Sequence, residues 1–231
     1  SRLRYLLSAS DDSVVKLWSI NGDSLHTLKT QANGKIESLK FLPCSGNSVF
    51  AYTNYEKNLF IQDFERGELL VANPRTEPVR SIATTDNHPQ YIYCLYQNSG
   101  MAVYDIRFGT VSSSPFELDY LRTCFDVCRD RPELVAFGRK DGSIMVYDVR
   151  NSYHRPLKTF GSADSQLKHR KNFMSYVRNI HFNEKGTEII MTDGFGAGYL
   201  FDLNDDAHKL RRKLNSFMEQ SLIGSMSVFR F

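Results

Sequence analysis

The sequence contains no run of 18 consecutive apolar residues, so we do not expect the chain to cross a membrane as a helix. Only four of its 231 residues are cysteines, which is sparse for a disulfide scaffold of this length. We therefore predict reduced thiols and a cytoplasmic or nuclear location. Net charge is also low, because 29 basic residues nearly balance 26 acidic ones. The resulting charge of +3 is too small to indicate a nucleic-acid-binding protein.

The start of the chain lacks the features of a secretory signal. Its first residues, Ser1-Arg2-Leu3-Arg4-Tyr5, include neither a methionine nor a long apolar segment. We therefore expect the chain to be part of a longer protein. Hydrophobic residues make up 41% of the sequence and aromatic residues 13%. This is enough to build a hydrophobic core, so the composition excludes a wholly disordered chain.

Short apolar segments recur along the chain, and each closes on Asp or, in the first case, Ser. The residues just before the closing position are spaced by 44, 42, 43 and 54 residues; they are Trp18, Gln62, Tyr104, Tyr147 and Phe201. A second, independent set of apolar positions is spaced by 43, 43 and 55 residues; it consists of Leu39, Ile82, Phe125 and Ile180. Both sets place an insertion of about a dozen residues, 161–172, before the last unit.

Turn-forming residues separate the apolar segments at matching places in each unit. Asn98-Ser99-Gly100, Asp141-Gly142 and Asp193-Gly194 are examples, and these residue types tolerate the positive φ angles of tight hairpins. The segments between them are short and rich in Val, Ile, Phe and Tyr. They predict β-strands, which are buried on both faces where the apolar residues are continuous.

A period near 43 residues, with three or four strands in each unit, is typical of WD40 propeller blades. The resemblance covers residues 3–204 and predicts an all-β fold with about five visible blades, the first lacking its leading strand. WD40 propellers usually have seven blades, so we expect this chain to supply part of a seven-bladed propeller. Closure with five blades is the alternative, and residues 225–231 could then supply the missing strand.

The first unit retains part of a hydrogen-bond network that is characteristic of the WD40 family. In the family, a hydroxyl group, a turn aspartate and an indole N–H are joined with a histidine. Ser8, Asp12 and Trp18 match three of these members, so the resemblance implies that they form a structural network. The family's Gly-His pair is absent, and Thr30-Gln31 stand near its place. We therefore expect the network to be incomplete.

Four further segments narrow the resemblance. They are Phe41-Leu42-Pro43, Arg80-Ser81-Ile82-Ala83-Thr84, Val135-Ala136-Phe137-Gly138-Arg139 and Gly186-Thr187-Glu188-Ile189-Ile190. In their order along the units, these segments resemble the "adipose" family of WD40 and tetratricopeptide proteins and its cullin-4-associated relatives. In that family, an insertion with tetratricopeptide helices follows the fifth blade, and the remaining blades come after it.

The end of the chain is consistent with the start of such an insertion. Residues 205–222 predict a helix, because Asp205 and Asp206 can cap its start. Its apolar stripe would consist of Ala207, Leu210, Leu214, Phe217 and Ser221. We therefore predict propeller blades over residues 1–204. For residues 205–231 we predict a C-terminal helical extension, consisting of an amphipathic helix followed by a terminal strand.

The family resembled here consists of substrate receptors of cullin-4 ubiquitin ligases, which implies a non-catalytic role in protein recognition. Such receptors dock on a large propeller adaptor, the damaged-DNA-binding protein, through a Trp/Tyr-Asp-x-Arg box that ends the third strand of a blade. Two units contain this box, as Tyr104-Asp105-Ile106-Arg107 and Tyr147-Asp148-Val149-Arg150. The implied adaptor-binding residues are Tyr104, Asp105, Arg107, Tyr147, Asp148 and Arg150. The implied partners are the adaptor, cullin-4 and an unknown protein substrate.

Two alternatives remain open at this point. Each box arginine could pair with the neighbouring aspartate inside its own blade instead of reaching a partner. The protein could also be a general WD40 scaffold, or a chromatin or histone-tail reader without any link to ubiquitin, because propellers serve many functions.

The remaining motifs favour structural or solvated roles. The basic clusters at residues 168–171 and 208–213 are expected to be solvated. Residues 194–198 are rich in glycine but precede a strand, which favours a hairpin turn over a phosphate-binding loop. Cys124 and Cys128 have no second Cys/His pair at metal spacing. No catalytic constellation is present, so we expect no enzyme activity, cofactor, metal or membrane partner.

Overall fold

The computed structural model shows that the chain forms antiparallel sheets. The residues that it describes are 5–30, 35–43, 45, 48–54, 58–67, 69–72, 77–97, 100–112, 122–151, 155–161, 176–204 and 210–214. Over these residues there are nineteen strands in five sheets and no helix. The all-β prediction is confirmed, and the sheets are consistent with propeller blades. The chain divides into two compact units, Ser1–Ser114 and Pro115–Phe231.

The first unit contains three sheets. One has three strands in the order β1-β2-β3; these are β1 (Tyr5–Ala9), β2 (Val14–Ser19) and β3 (Ser24–Lys29). The second has four strands in chain order; these are β4 (Ile36–Phe41), β5 (Val49–Asn54), β6 (Leu59–Asp63) and β7 (Leu69–Ala72). The third is also a four-stranded meander; its strands are β8 (Val79–Ala83), β9 (Tyr91–Tyr96), β10 (Met101–Asp105) and β11 (Thr110–Val111).

The second unit contains two four-stranded sheets with the same meander topology. The fourth sheet of the chain consists of β12 (Arg122–Val127), β13 (Leu134–Arg139), β14 (Ile144–Asp148) and β15 (Lys158–Phe160). The fifth consists of β16 (Val177–Phe182), β17 (Glu188–Asp193), β18 (Gly198–Asp202) and β19 (Leu210–Leu214).

The packing of the second sheet explains the continuous apolar runs in its middle strands, which are Val49–Tyr52 of β5 and Leu59–Ile61 of β6. Phe50 and Tyr52 of β5 belong to a buried cluster that includes Val15 of the first sheet. Ala51, which lies between them, belongs to a different cluster that includes Ile82 of the third sheet. Successive side chains of a strand point to opposite faces, so this sheet is covered on both sides within the first unit. Continuous apolar runs follow from that burial.

Polar side chains also join neighbouring sheets within each unit. In the first unit, the Ile82 backbone amide donates to Ser38 Oγ at 3.2 Å. In the second unit, the Phe182 amide donates to the Asp126 carboxylate at 3.0 Å. The sheets of the second unit also approach closely, since a Cβ on Gly138 would lie 2.5 Å from a methyl carbon of Val177. Only glycine leaves room for this contact.

The predicted helix over residues 205–222 is wrong where the structure describes it. Residues Leu210–Leu214 form strand β19, which pairs antiparallel with β18 so that Gly198 lies opposite Leu214. The outer edge of β18 has backbone groups that need partners, and a fourth strand satisfies them. That demand outweighs a local helical pattern, because intrinsic propensity is a weak preference. The other residues of 205–222, and the terminal strand predicted after them, lie outside the described part of the chain.

The turn between β1 and β2 contains a backbone conformation that disfavours ordinary side chains. Ser13 has a φ of 64°, and it is the only non-glycine residue with positive φ in the described segments. The corresponding positions in the β13–β14 and β17–β18 turns are occupied by Gly142 and Gly196, each with a φ of 82°. A left-handed backbone conformation costs an L-residue about 1 kcal/mol or more. The backbone of Ser13 is therefore strained, whereas glycine avoids this cost in the other two turns.

We predict that Ser13→Gly raises the free energy of unfolding by about 1 kcal/mol, because glycine adopts the left-handed region without steric cost. Ser13→Ala is the matched control, since it removes the hydroxyl but keeps the Cβ that causes the strain. Denaturant titration should show stabilisation for the glycine variant alone. Equal stabilisation by both variants would show that backbone strain is not the cause.

Candidate functional site

In every sheet, the strand before the last one ends in a turn that is built in the same way; these strands are β2, β6, β10, β14 and β18. The side chain of the last strand residue accepts a hydrogen bond from the backbone amide two residues later. The acceptor is Ser19 in the first sheet and an aspartate in the others, with distances of 3.2, 2.8, 2.9, 3.0 and 2.8 Å for Ser19, Asp63, Asp105, Asp148 and Asp202. This side-chain turn explains why a small acceptor recurs at each closing position.

The box of the third sheet adds an arginine to this turn. Arg107 Nε donates to Asp105 Oδ1 at 3.1 Å, and Arg107 Nη2 donates to Asp105 Oδ2 at 2.7 Å. Both carboxylate oxygens therefore hold one edge of the guanidinium. The Arg107 side chain is 53% exposed, whereas the Asp105 side chain is 15% exposed. The aspartate thus fixes the orientation of an arginine that still faces solvent.

The box of the fourth sheet contains the same two-bond arrangement. Arg150 Nε and Nη2 donate to the two carboxylate oxygens of Asp148 at 3.1 and 2.8 Å. A second carboxylate, that of Glu133, lies 3.3 Å from Arg150 Nη2 and 3.4 Å from Arg131 Nε. Arg150 remains 61% exposed, whereas the side chains of Asp148 and Glu133 are 7% and 19% exposed, so it too is oriented by acids that are less exposed than itself.

These contacts shift the ionisation of both partners. The side-chain hydrogen bond from Arg107 lowers the pKa of Asp105 below its ordinary value, and Arg150 lowers the pKa of Asp148 in the same way. The reciprocal bonds raise the pKa values of both arginines. Each bond favours the charged form of the group that makes it, so both pairs are ionised at neutral pH.

The tyrosines of the two boxes lie in the core. Tyr104 and Tyr147 are each 4% exposed. Burial raises the pKa of Tyr104, and the ring of Tyr147 packs edge-on against Phe137 at 5.8 Å between centroids. The tyrosines therefore anchor the strand that carries each box. The arginines are the box residues with substantial exposure.

The three residues predicted as a structural network occupy the first sheet. Trp18 Nε1 donates to Ser8 Oγ at 2.8 Å, across a strand pair in which Trp18 lies opposite Leu6. The Lys16 ammonium lies 5.5 Å from the indole centroid. Asp12 Oδ1 accepts the Val14 backbone amide at 3.0 Å. The structure thus joins the indole to the serine, and Asp12 binds within its own turn.

Two carboxylates that are important in the second unit were missed by sequence reasoning. Glu133 lies beside Arg150 because Val149 N donates to Glu133 O at 2.8 Å. The available signal was an acidic residue directly before the strand that pairs with the box strand. The bonding of the Asp193 carboxylate was missed as well, although Asp193 was recognised as a turn residue directly before the glycine-rich segment. Its Oδ1 accepts the amides of Phe195 and Ala197 at 3.0 and 2.8 Å.

This glycine-rich segment forms the β17–β18 hairpin turn, as expected. The Asp193 carboxylate already occupies amides that a phosphate-binding loop would have to offer. Cys94, Cys124 and Cys128 are buried free thiols, and burial raises the pKa of Cys94 and Cys124 to about 12. Such thiols are poor nucleophiles at neutral pH.

Within the described residues, no group of three or more His, Cys, Asp or Glu side chains is placed so that it could hold a metal ion. The same part of the chain has no helix long and apolar enough to cross a membrane. The basic cluster at residues 168–171 lies outside the described residues. The cluster at 208–213 is described only where it enters β19.

Comparison with known proteins gives two related matches. The chain is 28% identical over 228 residues to the human (Homo sapiens) protein "DDB1- and CUL4-associated factor 6", and the alignment covers 87% of this chain and 26% of that protein. The mouse (Mus musculus) protein of the same name is also 28% identical, with coverage of 87% and 25%. The chain thus spans about a quarter of the length of these relatives. No protein-family model matches the chain.

We predict that Asp148→Asn lowers the melting temperature by a few degrees at neutral pH. The asparagine oxygen can still accept the Arg150 backbone amide, but the charged pairing with the guanidinium is lost. Because the pKa of Asp148 is lowered in the folded state, its contribution is present above the unfolded pKa of about 3.9 and is lost as pH falls through the folded pKa. The difference in melting temperature between Asp148→Asn and the wild-type protein should therefore become smaller as pH falls from about 5 to about 3.

Asp63→Asn is the matched control for this measurement. Asp63 accepts the Glu65 amide at 2.8 Å, so its strand ends in the same kind of turn. A glutamate, Glu65, stands at the place of the box arginine. This variant should change the melting temperature less. A difference between Asp148→Asn and wild type that stays constant down to pH 3 would contradict a contribution from the charged carboxylate.

Proposed function

We propose that this chain is the propeller portion of a substrate receptor for a cullin-4 ubiquitin ligase, and that it docks on the ligase's propeller adaptor through Arg107 and Arg150. The observation that carries the proposal is that an aspartate fixes each guanidinium group while the Arg107 and Arg150 side chains remain 53% and 61% exposed. Cullin-4 and a protein substrate are the further partners. The same proposal places the protein in the cytoplasm, the nucleus or both.

The orientation of the two arginines favours binding to a partner over a purely internal role. A guanidinium has five N–H donors in one plane, and the aspartate takes up bonds from Nε and Nη2. The exposed part of the group can reach carbonyl or carboxylate oxygens of a partner. Because the side chain is already ordered, binding loses less conformational entropy than it would with a free arginine. The pairing of each arginine with the aspartate of its own blade therefore favours docking, because it orders the guanidinium before a partner binds.

The sequence comparison supports the same assignment. The matched relatives are named for association with DDB1 and CUL4, and the aligned region covers 87% of this chain. Their 28% identity is low, so the residue-level argument rests on the two boxes. The all-β sheets and these relatives also fit a non-catalytic role, in which the protein recognises partners and carries out no chemical step.

We predict that the double variant Arg107→Ala/Arg150→Ala weakens adaptor binding at least about tenfold, because oriented arginines are frequent binding hot spots. The double variant Arg107→Lys/Arg150→Lys should lose most of this affinity as well. Lysine keeps the charge but cannot form the planar two-bond pairing. Binding should be measured by calorimetry with the full-length protein and purified adaptor.

Arg66→Ala/Arg178→Ala provides a control that removes two exposed arginines outside the boxes. It should bind like wild type, and thermal melting should show that all variants are folded. Absence of binding by the wild-type protein would refute the ligase assignment and leave a general WD40 scaffold. Full binding by the box variant would keep the ligase role but move the docking site elsewhere.

A further inference from the structure

Phe108 is the most exposed large apolar side chain in the described part of the chain, at 72%. It directly follows Arg107 in the turn after β10. The Arg107 guanidinium carbon lies 5.1 Å from the centre of the Phe108 ring and 6.0 Å from the centre of the Tyr91 ring. Tyr91 lies opposite Asp105 in the β9–β10 pair. These residues form one surface, which we call the aromatic box: Tyr91, Asp105, Arg107 and Phe108.

The turn itself does not require an aromatic residue at this position. The turn after β6 has the same backbone, since Gly67 N donates to Asp63 O at 3.0 Å and Gly109 N donates to Asp105 O at 2.9 Å. Both glycines have a φ of 65°. The counterpart of Phe108 in that turn is Arg66, which is exposed. A charged side chain is therefore tolerated there, and folding does not account for the phenylalanine.

The two boxes also differ in what surrounds the arginine. Arg150 is followed by Asn151, and its second contact is the Glu133 carboxylate at 3.3 Å. The third-sheet residue that corresponds to Glu133 is Gln90, because Ile106 N donates to Gln90 O as Val149 N does to Glu133 O. The fourth-sheet box is thus ionic, whereas the third-sheet box combines one compensated charge with two aromatic rings.

We propose that Phe108 is the apolar anchor of the docking surface, and that it inserts into an apolar pocket of the adaptor while Arg107 binds carbonyl oxygens at the pocket rim. This inference rests on the proposed function and adds a residue that the box motif does not contain. Asp105 compensates the charge of Arg107, so the aromatic box suits an apolar pocket better than an acidic surface. An aromatic ring beside an oriented arginine has the composition of a binding hot spot.

The test measures adaptor binding by the full-length protein with three substitutions of Phe108. Phe108→Ala should weaken binding about tenfold or more. Phe108→Arg, which copies the turn after β6, should fold normally and bind at least as weakly. Phe108→Tyr should retain most of the affinity, because it keeps an aromatic ring beside Arg107. Phe195→Ala is the matched control, since Phe195 is 53% exposed in a different turn, and it should bind like wild type.

Measurements at low and high ionic strength distinguish the apolar contact of Phe108 from the ionic contact of Arg150. The loss caused by Phe108→Ala should be the same at low and high salt, whereas the loss caused by Arg150→Ala should shrink at high salt, because salt screens exposed charges. Normal binding by Phe108→Ala, with binding lost in the double arginine variant, would overturn the anchor role and leave the proposed function standing. Equal loss in Phe195→Ala would overturn it as well. Absence of wild-type binding would refute both proposals.

Discussion

The hydrogen bond between a side chain at the end of the second-to-last strand of each sheet and the amide two residues later is the interaction on which the candidate site depends. In two sheets the acceptor carboxylate does more, because it also holds the guanidinium of the arginine whose amide it accepts. Asp105 and Asp148 therefore set both the path of the backbone and the direction of the side chain. A turn without an arginine at that place, such as the one after Asp63, is formed in the same way but presents no oriented cation.

Precise placement of these turns requires a rigid scaffold, which the buried strands provide. Alternate side chains of β5 enter different apolar clusters, one shared with the first sheet and one with the third. The box tyrosines are buried as well: Tyr104 belongs to the cluster that β5 shares with the third sheet, and Tyr147 is 4% exposed in the second unit. The arginines lie just beyond the last buried residue of the strand. Affinity can thus come from a few exposed side chains that need little ordering on binding.

Much of the fold was predictable because its signals are local and repeated. The spacing of Trp18, Tyr104 and Tyr147 marked strands β2, β10 and β14, since each blade must alternate short apolar runs with turns. The helix at residues 205–222 was mispredicted because a stripe at 3-4 spacing does not reveal that β18 has an open edge. Of the candidate site, the two arginines could be found from the box motif. Tyr91 could not, and Glu133 offered only the signal of an acid directly before its strand, because both residues reach the arginines through strand register.

The sequence by itself determined the period, the strand positions and the turn residues, because these depend on side-chain polarity and backbone preference within a few neighbours. It also determined which residues could form the boxes. Only the tertiary structure decided that Leu210–Leu214 is a strand, that Asp12 bonds to the Val14 amide of its own turn, and that Phe108 is exposed beside an oriented arginine. Each of these depends on groups brought together by strand pairing or by the course of a turn. The free energy of each feature depends on the contacts that strand pairing or the turn creates. A local sequence pattern does not specify those contacts.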